Sequence, residues 1–121
     1  MENHLYDMTV DRLSTYFGTA QPLDSGNGAR FTSARRGKAT VYHANIAPGN
    51  RAELAFEPAS MAKRLALTER EFRSLVADWR SRTGRDVQPD PQFNWPRVGI
   101  SEAPHVEAIV ADIARCLTPA A

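Results

Sequence analysis

Apolar positions along this chain recur with two different periods, and the change between them marks the elements. Phe72, Leu75, Val76 and Trp79 stand at i, i+3, i+4 and i+7, so they share one side of a helix. Thr68 and Glu71 have the spacing of a capping box at its start, and Gly84 is a natural stop. A second stripe, Val106, Ile109, Val110, Ile113 and Leu117, predicts a final helix. Ser101 can cap it, Pro104 is tolerated in its first turn, and Pro119 ends it. Leu13, Tyr16 and Phe17 predict a shorter helix at the start, with Thr9 as cap and Gly18 as stop. Pro58, Met61, Ala62 and Leu65 predict a short one in the middle.

Residues 29–57 change to a period of two. "RAELAFE" alternates cleanly: Ala52, Leu54 and Phe56 point one way, Glu53 and Glu57 the other. "ATVYHANI" is rich in β-formers, with Tyr42, Ala44 and Ile46 expected on one face, and "ARFTSAR" reads as a third, weaker strand. "RGK" can turn the chain, and in "APGN" Pro48 presets φ while Gly49 accepts a positive one. "RVGI" at 97–100 is short and β-leaning.

The predicted order is α-β-β-β-α-α-β-α. This is an α+β fold: a small antiparallel sheet of three strands at 29–57 plus one near 97–100, covered on one face by helices. Each helix has a single apolar stripe and the sheet needs a cover for Leu54 and Phe56, so each requirement meets the other. Residues 1–121 make one globular domain at this length.

Composition agrees with a folded domain: 42% hydrophobic and 24% charged residues. One cysteine, Cys116, excludes an internal disulfide and a thiolate-based zinc site. Neither an apolar run long enough to span a bilayer nor a basic-then-apolar leader is visible, so a cytoplasmic location without a membrane partner is the expectation. Net charge is +1, but its distribution is uneven. Residues 30–52 carry five bases (Arg30, Arg35, Arg36, Lys38 and Arg51) and no acid.

That segment supplies the first candidate function. Arg30, Arg35, Arg36 and Lys38 cluster around a hairpin, with Phe31 and Tyr42 interleaved. A basic turn can track phosphates, and rings can stack bases, so nucleic acid is the first expected partner. The second reading starts from "QPDPQFNWPRVGIS" at 88–101. Its three prolines stiffen a long connection, and Phe93, Trp95 and Arg97 can form an interface or pocket for another protein, a homodimer included. The same rings can instead close one end of the core. The third reading is an enzyme using His43 with Glu53 as an acid–base pair; a polar cross-strand pair is the plainer alternative.

Neither a nucleophile elbow, a phosphate loop nor a metal-ligand spacing occurs, so neither a cofactor nor a metal is expected. "LTEREFRSL" (Leu67–Leu75) resembles the opening of the first helix in winged-helix response regulators, although no recognition helix follows it. The element order is similar to that of the small MmcQ/YjbR-like α+β proteins, an architectural likeness that implies little about function. The expectation is therefore a small binding domain rather than a catalyst.

Overall fold

The computed structural model describes residues 3–83 and 95–117. Its elements are α1 (His4–Phe17), β1 (Gln21–Pro22), β2 (Gly28–Phe31), β3 (Ala39–Tyr42), β4 (Ala52–Phe56), α2 (Pro58–Arg64), α3 (Glu69–Thr83), β5 (Arg97–Ile100) and α4 (Ala103–Leu117). The strands form one antiparallel sheet in the order β1-β2-β3-β4-β5. The α+β class and the element order are as the pattern predicts, with one addition. The loop after α1 contributes β1, where Gln21 and Pro22 pair with Arg30 and Ala29. Proline lacks a backbone donor, so it is tolerated at a sheet edge.

Register sorts the side chains. Ala29, Val41, Leu54 and Val98 lie in one cross-strand row, Phe31, Ala39 and Phe56 in the next, and Ala52 opposite Ile100. All of these are buried, and all but Ala29 belong to one core with Leu13 and Phe17 of α1, Met61 of α2, Phe72, Val76 and Trp79 of α3, and Ile109 and Ile113 of α4. Phe56, Phe72 and Trp79 meet pairwise at centroid distances of 5.5–6.4 Å. Offset and edge contacts of this kind add to the burial of the rings.

The alternate positions face the other way. Arg30, Thr40, Ala55 and Arg97 form one row, and Gly28, Tyr42, Glu53 and Gly99 the next. Tyr42 is thus on the polar face, whereas the pattern had grouped it with Ala44 and Ile46 as one strand face. The strand ends at Tyr42, Asn45 takes a positive φ of 56°, and Val41 enters the core. Alternation beyond a strand's end carries no information about facing.

Local signals act as expected at two helix starts and one stop. Glu71 N–H donates to Thr68 Oγ1 at 3.0 Å, and Thr68 N–H donates to Glu71 Oε1 at 2.9 Å, closing the capping box. Gly18 ends α1 with φ of 93°. Pro58 opens α2. Two caps differ. Asn3, not Thr9, caps α1 by accepting from Tyr6 N–H, and Thr9 is buried with its hydroxyl donating to Leu5 O. Ser101 N–H donates to His105 Nδ1, so this histidine folds back over the entry to α4. Gly84 and Pro119 lie outside the described residues.

Candidate functional site

The sheet face opposite the core carries the polar chemistry, and Glu53 anchors it. Its side chain is 3% exposed. Oε2 accepts from Ala47 N–H at 2.7 Å and from Asn50 Nδ2 at 2.9 Å. Oε1 accepts from Arg97 Nη1 at 3.1 Å. The "APGN" turn makes this possible: Pro48 and a positive-φ Gly49 return the chain so that Asn50 N–H donates to Ala47 O and both residues reach the carboxylate. A buried carboxylate is tolerated when charge-assisted bonds occupy its oxygens. The Arg97 guanidinium also stacks 4.2 Å from the centre of the Tyr42 ring.

His43 takes no part in this cluster. Glu53 stands opposite Tyr42, and His43 is the next residue, beyond the strand. His43 is exposed, and its ring meets the edge of Tyr6 in α1 at 4.7 Å. Burial, and then the nearby Asp7 charge, pushes the Tyr6 phenol above its ordinary value. No hydrogen bond joins His43 to Glu53, and the carboxylate is held by Ala47, Asn50 and Arg97 instead. The acid–base pair read from the sequence is not formed.

The four hairpin bases divide. A cleft of about 360 Å³ opens on the polar face, with Arg30, Thr32, Lys38, Thr40, Glu57 and Trp95 in its walls. It unites two segments that are far apart in sequence, the β2–β3 hairpin and the residues before β5. Lys38 Nζ lies 4.0 Å from Glu57 Oε2. Arg35 is exposed in the turn at 34–36. Arg36 lies against Gly18, with Nη1 3.4 Å from where a Cβ would stand. It therefore sits at the C-terminal end of α1, where Arg64 Nη2 also donates to Tyr16 O at 3.2 Å. Cations at that end meet the negative pole of the helix. Phe31 is 1% exposed and packs on Phe17 in the core, so it offers no stacking surface.

Of the three residues in the second candidate group, Phe93 lies outside the described residues. Trp95 is half-buried in the cleft wall, and Arg97 is held by Glu53 and Tyr42. Thr32, Thr40 and Glu57 were not singled out as site residues by the sequence. Alternation from Arg30 puts Thr32 beside it, and alternation from Lys38 does the same for Thr40, but only the register brings the two pairs to one wall.

A smaller cavity of about 150 Å³ lies between α3 and α4, lined by Trp79, Thr83, Pro104, His105 and Ile109 among others. Beneath it Asp112 accepts from Trp79 Nε1 at 2.8 Å and from Arg82 Nη2 at 2.5 Å, and also pairs with Arg115. The bonds from Trp79 and Arg82 join α3 to α4; the one from Arg115 lies within α4. Among the described residues, no helix is long and apolar enough to cross a membrane.

No protein family, curated protein or solved structure matches this chain.

Proposed function

We propose that this domain binds single-stranded nucleic acid at the polar face of its sheet, one nucleotide unit entering the Arg30–Lys38–Trp95 cleft. The observation that carries this reading is the meeting of two cations, two hydroxyls and an indole in one recess of about 360 Å³. That volume lies in the range of small-ligand sites. A positively charged groove that tracks a backbone, with an aromatic side chain on which a base stacks, is how single strands are held without pairing. A duplex is too wide for such a recess, whereas an unpaired base fits.

The site differs from the one read in the sequence. Arg30 and Lys38 remain in it, and Trp95 joins them. Arg36 is given to the end of α1. Arg35, at the exposed turn, can extend the phosphate track beyond the cleft.

Fluorescence anisotropy of labelled oligouridylate and oligothymidylate at low salt tests the reading. Wild type should bind at least one of them, and Trp95→Ala should weaken binding about tenfold, the value of one stacked base. Absence of binding to both oligomers overturns the reading. So does undiminished binding by a folded double variant, Arg30→Ala with Lys38→Ala.

A further inference from the structure

We infer that the cleft discriminates among bases, with Glu57 as the group that selects guanine; the inference rests on the proposed binding of single strands at that cleft.

A carboxylate in the wall of a basic recess calls for a reason. Glu57 precedes α2 at its cap position, yet its side chain makes no capping hydrogen bond. The Lys38 ammonium at 4.0 Å is its neighbour, at the outer limit of an ion pair. The side chain is 26% exposed, so it is partly desolvated in the cleft wall. Its acceptor capacity is largely unspent. Towards a phosphate it would be repulsive, so a nucleotide must approach it by another group.

The strand order fixes which group. Across the cleft the walls run from Arg30 in β2 and Thr32 just after it, through Lys38 just before β3 and Thr40 within it, to Glu57 just after β4 and Trp95 just before β5. Adjacent strands are about 4.8 Å apart, so the two ends are separated by roughly 14 Å. Arg30 stands at one end and Lys38 in between, 4.0 Å from Glu57; the carboxylate and the indole are at the other end. A nucleotide laid along this gradient puts its phosphate at Arg30 and its sugar near the threonine hydroxyls. Its base then stacks on Trp95, with the pairing edge turned to Glu57.

Among the common bases, guanine presents two adjacent donors on that edge, N1–H and the N2 amine, which match the two oxygens of a carboxylate. Adenine and cytosine each offer one amine beside an acceptor nitrogen, which a carboxylate repels. Uracil and thymine offer one N–H between two carbonyl oxygens. A matched pair of bonds gives about tenfold discrimination or more.

Competition by unlabelled oligouridylates carrying one central guanine, adenine or cytosine reads this directly. Wild type should prefer the guanine-containing oligomer about tenfold over oligouridylate. Glu57→Gln, which replaces one acceptor oxygen by a donor amine, should reduce that preference to less than about threefold, with oligouridylate bound no more weakly than by wild type because a charge repulsive to phosphate is gone. Glu57→Ala should do the same, and guards against a new contact made by the amide. Binding of all four oligomers with equal affinity overturns the inference and leaves the proposed function standing. A guanine preference that both variants retain also overturns it. Failure to bind any oligomer removes both.

Discussion

Arg97 Nη1 donates to Glu53 Oε1 at 3.1 Å across neighbouring strands, with the carboxylate 3% and the arginine side chain 13% exposed. An ion pair this deep in a sheet face is costly to break from one side, because the remaining charge has lost its water. Its place is also informative. It holds Arg97 over Tyr42 and so commits that cation to the sheet rather than to a ligand.

Glu53→Ala should therefore lower unfolding free energy by about 3 kcal/mol. Arg97→Ala should cost less, since Ala47 N–H and Asn50 still serve the carboxylate. The double variant should be less destabilised than the two single losses added together, by about 1 kcal/mol or more. Urea unfolding of the four proteins checks this; strict additivity would mean the pair contributes no coupling.

Thr68→Ala should destabilise the domain by about 1 kcal/mol, because it removes the bond that Glu71 N–H makes at the start of α3. Thermal unfolding gives the value. Thr68→Ser keeps the acceptor and should stay close to wild type.

Gly99→Ala tests how tightly the turn packs on β5. A Cβ there would stand 2.4 Å from Asn50 Nδ2, so Asn50 must move and its bond to Glu53 must lengthen or break. Overpacking of this kind costs about 1–3 kcal/mol. A crystal structure of the variant should show Asn50 displaced; an unmoved Asn50 at full stability would contradict the packing described.

The hairpin bases should separate in a salt titration. Binding of an oligouridylate falls with salt along a log–log slope of about 0.7 per phosphate contact for single strands. Arg30→Ala should lower the slope by about 0.7. Arg36→Ala should leave the slope unchanged, because that side chain rests on Gly18 at the end of α1. Equal effects of the two substitutions would place the phosphate track along the turn instead of in the cleft.

Much of this fold is legible in the residues because short-range rules and burial agree. The Thr68–Glu71 box, the Phe72–Trp79 stripe and the Ala52–Phe56 alternation each specify an element and its inward side without knowledge of any other. The site is less legible because it depends on register. Nothing near Lys38 in sequence says that Trp95 stands across the cleft from it. Glu53 reads as a solvated strand residue until the Ala47–Asn50 turn and Arg97 are seen around it. His43 and Glu53 look like partners only if Tyr42 is placed on the face with Ala44 and Ile46; the register instead buries Val41 and sets Tyr42, not His43, opposite Glu53. Asp112 is a similar case. It interrupts the apolar stripe of α4 as an ordinary helix-surface acid would, yet it is 6% exposed and bonded to Trp79.

Amide chemical-shift mapping during titration with a single-stranded oligomer tests the central claim most directly. The account predicts saturable shifts concentrated at residues 30–32, 38–40, 57 and 95, with α1 and the outer surface of α3 little changed. Shifts confined to those helices, or none at oligomer concentrations far above the protein, would contradict it.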